Sequence, residues 1–146
     1  MTFVAVLAFL LSTFGTAQIT VNGGNQTMTI TTGVAGGQPV SVLNTSCTLS
    51  YTRQSKISKI TVATSCPGQS FNLSVVATNV SRGNPAPQVS LVNGNPATDL
   101  VTNIPNSGTR NSTCTLQFTA SSTFSQGNST ELGNDVHTIT YTLLAQ

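Results

Sequence analysis

Charge is what this sequence has least of: five Lys or Arg and three Asp or Glu in 146 residues. Soluble domains average about 25% charged residues, so surface polarity here has to come from Thr, Ser, Asn and Gln. A surface so poor in charge suits close packing against copies of itself. The cations are Arg53, Lys56, Lys59, Arg82 and Arg110. They form no dense basic stripe, which argues against a nucleic-acid partner. The carboxylates are Asp99, Glu131 and Asp135, so a glycosidase pair could come only from Glu131 and Asp135 or from distant loops. There is one histidine, His137, and no serine is marked out as a nucleophile that it and Asp135 would activate. No catalytic centre is expected. Tryptophan is absent, and three of the six Phe (Phe3, Phe9 and Phe14) lie in the first seventeen residues, leaving few aromatics for a sugar-binding platform.

Other signatures are missing as well. No glycine-rich nucleotide loop occurs, so no cofactor is expected. The three cysteines, Cys47, Cys66 and Cys114, lack close CxxC spacing, and an exported chain tends to oxidise its thiols, so zinc is not expected. Glu131, Asn134 and Asp135 are the hard-oxygen residues that a calcium ion in the 127–135 loop would use. The simpler reading of that loop is a polar turn, and no metal site is assigned. Arg53, Lys56 and Lys59 surround a turn and are read as a solvated tip.

What is present is a leader-like start and a long stretch of β pattern. Residues 1–17 are apolar through Leu11 and then small and polar, with Gly15 and Ala17 placed for a signal peptidase. Cleavage before Gln18 is expected, although no Lys or Arg stands near Met1. At about 11 apolar residues the run is short of the ~20 needed to span a bilayer. No stable membrane insertion is therefore expected after processing. In an oxidising compartment the three cysteines imply one disulfide and one remaining thiol.

Beyond Gln18 the apolar residues alternate with Thr and Ser, broken by Gly, Pro and Asn clusters, which is an all-β pattern. Ile19, Val21, Met28 and Ile30 flank the turn-forming Asn22-Gly23-Gly24-Asn25 and give a strand pair in an N-terminal arm, residues 18–37. The domain proper, residues 38–146, reads as strands at about 40–52, 57–66, 70–80, 87–93, 98–104, 113–120 and 135–145, an immunoglobulin-like antiparallel β-sandwich of about seven strands. Its inward phase holds Cys47, Leu49, Tyr51, Ile60, Val62, Cys66, Phe71, Leu73, Val75, Ala77, Val89, Leu91, Leu116, Phe118, Ala120, Ile139, Tyr141 and Leu143. Cys47 and Cys66 share that phase on consecutive strands, so antiparallel pairing would bring them into bridging range. Cys114 is read as a buried thiol, with Cys114–Cys66 as the competing pair. Six Asn-x-Ser/Thr sequons, at Asn25, Asn44, Asn72, Asn79, Asn111 and Asn128, could carry glycan.

The order of these features resembles chaperone–usher pilins and their spore-coat-U-like branch. They are an export segment, a β-prone arm, a cysteine on the first strand, Ile60-Thr61-Val62-Ala63-Thr64-Ser65-Cys66 on the second, and a terminal Val136-His137-Thr138-Ile139-Thr140-Tyr141-Thr142-Leu143. The resemblance implies a Cys47–Cys66 disulfide and a sandwich lacking one strand. It implies an acceptor groove beside Val136, Ile139, Tyr141 and Leu143, with a donor strand drawn from 19–30. It also implies an extracellular surface filament, a homopolymer whose subunits meet a chaperone and an usher during export. Cys114 and the Asn22–Asn25 interruption depart from the pattern. Two other arrangements stay open: the arm as an edge strand of its own domain in a secreted adhesive or carbohydrate-binding monomer, and residues 1–17 kept as an apolar helix in a filament core.

Overall fold

The computed structural model describes residues 2–7, 18–30, 40–123, 126 and 133–146, with 2–7 as backbone only. The chain forms an all-β sandwich, and no α-helix occurs among the described residues. Its strands are β1 (Thr2–Leu7), β2 (Ile19–Asn22), β3 (Gln26–Thr27), β4 (Val42–Thr52), β5 (Ser58–Ser65), β6 (Asn72–Thr78), β7 (Asn84–Pro85), β8 (Val89–Ser90), β9 (Thr98–Ile104), β10 (Asn111–Ser121) and β11 (Val136–Ala145). They build one sheet in the order β3-β1-β11-β5-β9-β7 and another in the order β2-β4-β10-β6-β8. Every pairing is antiparallel except β1 with β11, which is parallel.

The long strands alternate between layers. β4, β6 and β10 lie in one sheet, and β5, β9 and β11 lie in the other. Each link between successive long strands therefore crosses the sandwich instead of closing a hairpin. This corrects the expected pairing of β4 with β5: the 53–56 turn carries the chain from one layer to the other. The same holds in the arm. β2 pairs with β4, while β3 pairs with β1 in the opposite sheet, so Asn22–Asn25 forms a corner between layers and not a hairpin loop. Gly23 makes that corner workable: its φ is +116°, and a Cβ there would lie 2.8 Å from the Ser46 carbonyl oxygen.

Period-two burial fills the interior. β10 reads exposed, buried, exposed, buried from its start, and β11 buries every second residue from His137 to Leu143. All the expected inward residues are buried except Phe71, which is half-buried. Leu100, Val101 and Ile104 join them, the first two because register shifts between β5 and β9 turn two consecutive side chains inward. Tyr51 crosses the core, and its hydroxyl donates to the Arg82 carbonyl oxygen at 2.6 Å.

Candidate functional site

Two places stand out, and both involve β11. The first is its outer edge. On one side β11 pairs with β5 over Thr138–Ala145, and on the other it pairs with Thr2–Leu7, from Thr2 opposite Val136 to Leu7 opposite Tyr141. Residues 2–7, part of the expected leader, thus lie in the sheet. Residue 1 and residues 8–17 lie outside the described residues, as do 31–37 of the arm. Next to this edge, Val21, Gly24, Gln26, Cys47, Phe118, Ile139 and Tyr141 line a small apolar pocket between the sheets. Of the expected acceptor residues, Ile139, Tyr141 and Leu143 are buried, whereas Val136 is exposed.

The expected donor residues lie on their own domain in this chain. Ile19 is buried opposite Tyr51, Met28 is buried, and Val21 and Ile30 pack half-buried against the core. Thr52 N–H donates to the Gln18 carbonyl at 3.0 Å, which anchors the start of β2.

The second place is the beginning of β11. Cys66, Asp135 and His137 are all buried, and their ligand-bearing atoms lie within 4.8 Å of one another. Cys66 directly follows β5, Asp135 directly precedes the neighbouring antiparallel β11, and His137 is the second residue of that strand, so the sheet register brings the groups together. Asp135 accepts the Ser70 N–H on both carboxylate oxygens at 3.0 Å and the Phe71 N–H on Oδ2 at 2.8 Å. It thereby ties β11 to the turn that leads into β6 of the other sheet. His137 Nδ1 lies 3.0 Å from the Thr64 hydroxyl, which reaches the Thr138 carbonyl at 3.5 Å. When Thr64 donates to that carbonyl, it accepts the Nδ1–H, which makes Nε2 the basic nitrogen. Burial pulls the His137 pKa down, and the Asp135 carboxylate opposes the shift. Burial pushes the Cys66 thiol up, Asp135 adds to this, and a hydrogen bond from the Val136 backbone opposes it.

As a nucleophile–base–acid set this cluster is badly arranged. Thr64, not Asp135, holds Nδ1, and all three groups are buried away from any substrate. Of the residues a calcium ion in the 127–135 loop would use, Asp135 turns its oxygens to backbone N–H groups, Asn134 is exposed, and Glu131 lies outside the described residues.

The expected Cys47–Cys66 disulfide is not formed. All three cysteines are buried thiols, with Cys47 on β4 of one sheet and Cys66 beyond β5 of the other. The strand pairing expected to bring Cys47 and Cys66 together is absent, because the crossing at 53–56 puts β4 and β5 in different sheets. Cys114, on β10 beside β4, shares Cys47's sheet, and both thiols bear on Tyr141, whose phenol burial pushes far above its ordinary value. Burial raises the Cys114 pKa to about 11.

The basic tip is partly tied down. Lys59 pairs with Asp99 at 2.8 Å, and Arg53 donates to the Asn106 carbonyl at 2.9 Å, while Lys56 is exposed. Of the sequon asparagines, Asn25, Asn72, Asn79 and Asn111 are exposed and Asn44 is half-buried, with its side chain bonded to Gln26 and to the Ser46 N–H. Asn128 lies outside the described residues.

No protein family, no curated protein and no solved structure matches this chain.

Proposed function

We propose that this chain is a structural subunit of an extracellular filament, resembling chaperone–usher pilins, in which a strand from a neighbouring copy completes the sandwich beside β11. One observation carries the reading: the outer edge of β11 is covered by Thr2–Leu7, within the segment whose sequence marks it for removal on export. Loss of residues 1–17 would strip β11 of that partner from Val136 to Tyr141 and open the edge next to the apolar pocket. An unpaired edge of this kind attracts another strand, with main-chain hydrogen bonds supplying affinity and alternate side chains supplying fit. The donor in this reading is the 18–37 arm, with Met28 and Ile30 as its plugs. Its packing against its own domain is compatible with exchange, because a swapped segment makes the same kinds of contact within a chain or between chains. A chaperone and an usher would guard the open edge during export. No catalysis is included.

The self-packed arm is also what favours the competing reading, a secreted adhesive or carbohydrate-binding monomer. Against it, Tyr51, Phe118 and Tyr141 are buried and Phe71 is half-buried, so these rings provide no exposed stacking face.

The test uses protein purified from its producing cells, with N-terminal sequencing, size-exclusion chromatography and electron microscopy. The wild type should begin at Gln18 and form filaments. A variant carrying a second copy of residues 18–32 after Gln146, on a flexible linker, should cap its own edge and remain monomeric. A wild type that retains Met1 and stays a folded monomer would overturn the proposal in favour of the monomeric module.

A further inference from the structure

The geometry points to a zinc-class metal site formed by Cys66, Asp135 and His137, a structural centre that joins the end of β5 to the start of β11. The chain's only histidine, one of its three carboxylates and one of its three thiols meet in the interior, with ligand atoms within 4.8 Å of one another. Their exposures are 1% for Cys66, 4% for Asp135 and 0% for His137. The Ser70 and Phe71 N–H groups already offset part of the hydration that the buried Asp135 carboxylate loses, and a bound cation would offset more of it.

The chemistry of the donor set selects the ion. A thiolate and an imidazole suit a borderline-soft divalent ion such as Zn²⁺, and a carboxylate completes a set that calcium or magnesium, which take oxygen ligands, would not use. Zinc–ligand bonds of about 2.0–2.3 Å put tetrahedral ligand atoms about 3.3–3.7 Å apart, so from separations of up to 4.8 Å loading would draw the groups together by up to about 1.5 Å. The second carboxylate oxygen or a water supplies the fourth contact.

The surrounding groups are those that orient metal ligands. Thr64 holds His137 by Nδ1 at 3.0 Å, which makes Nε2 the nitrogen proposed to bind the ion, and the Ser70 and Phe71 N–H groups fix the Asp135 carboxylate. Through Asp135 the ion would also secure the turn entering β6, so that it ties the two layers together. The site is independent of how copies of the chain assemble.

The experiment uses the full chain, stripped with EDTA and reduced, and titrated with Zn²⁺ by calorimetry and with Co²⁺ by absorption. One ion per chain is expected, with a thiolate-to-cobalt charge-transfer band. The melting temperature should rise by about 5–10 °C at a free Zn²⁺ concentration 100 times Kd. Cys66→Ser should lose the charge-transfer band and Cys114→Ser should keep it. Thr64→Val, nearly isosteric, should bind about 10- to 100-fold more weakly. Absence of one-to-one uptake by the wild type would overturn the proposal, as would a charge-transfer band that survives in Cys66→Ser. Should Cys66→Ser not fold, Thr64→Val decides: weakened binding supports the site, and wild-type affinity overturns it.

Discussion

Asp135 is the most informative residue to remove, because its role in holding the two sheets together can be separated from any role toward a metal. In metal-free protein its carboxylate accepts two backbone donors, the Ser70 N–H on both oxygens and the Phe71 N–H on Oδ2. A hydrogen bond to a charged group contributes about 1.5–3 kcal/mol, so two such donors set an upper range of about 3–6 kcal/mol for Asp135→Ala. Ser70 and Phe71 are half-buried, and water admitted by the truncation recovers part of that loss. The expected cost is therefore about 2–4 kcal/mol, less than the ~5–15 kcal/mol by which domains are stable. Asp135→Asn keeps one acceptor, which can serve Phe71, but turns an NH₂ toward the Ser70 N–H, and should cost about 1–2 kcal/mol. Urea unfolding followed by far-ultraviolet circular dichroism, in EDTA, gives the comparison. With an m-value of about 2 kcal/mol/M, the Ala midpoint should fall by about 1–2 M and the Asn midpoint by about half as much. An Ala variant no less stable than the Asn variant, or within about 0.5 kcal/mol of wild type, would refute the assignment of Asp135 as the link between β11 and the turn into β6.

Three further outcomes are expected. In denaturant without reductant, an aromatic disulfide reagent should titrate three thiols per chain, and in native protein it should react slowly, because Cys47, Cys66 and Cys114 are at most 3% exposed; a titre of one would mean that a disulfide exists after all. The Cys114 thiol titrates at about 11 when folded and at the ordinary 9.0 when unfolded, so the folded state keeps a proton that the unfolded state loses. Its stabilising contribution is therefore complete below pH 9.0, declines as pH rises towards about 11, and should vanish from the urea midpoints of Cys114→Ala, whose alkaline slope must be the shallower of the two. Gly83→Ala places a Cβ 2.8 Å from both the Thr102 carbonyl oxygen and Val101 Cγ1 at φ +97°, whereas Gly94→Ala at φ +79° meets nothing within 4 Å. Backbone strain of about 1–2 kcal/mol applies to both, and about 1–3 kcal/mol of overpacking applies to Gly83 alone. Melting should therefore drop by about 4–20 °C for Gly83→Ala and by clearly less for Gly94→Ala, and equal drops would refute the packing argument.

The extent to which this fold can be read from sequence follows from which interactions are local. Alternation is local, so the strands expected at 40–52, 57–66, 98–104 and 135–145 coincide closely with β4, β5, β9 and β11, and every expected inward residue but Phe71 is buried. Leu100 and Val101 were missed because a register shift is a property of two strands together, and no pattern within 98–104 reports that β5 slips against it. Sheet membership is less local still. Inward phase says that Cys47 and Cys66 face the core, but two layers share that core, and nothing in a four-residue turn distinguishes a hairpin from a crossing between layers.

The Cys66–Asp135–His137 cluster shows the same limit from the other side. Its members are separated by 69 and 2 positions, since 135 − 66 = 69 and 137 − 135 = 2, which matches no metal motif read along the chain. A signal was nevertheless present. His137 and Asp135 are spaced by two, so on a strand they share a face, and continuing the phase of Ile139, Tyr141 and Leu143 backwards puts both on the buried one. Burying two ionisable side chains at the start of a terminal strand predicts a partner for them, and antiparallel pairing of β11 with β5, Thr138 opposite Ser65, fixes that partner as the residue after Ser65. Sequence could supply the demand for a partner. Only the register could name Cys66.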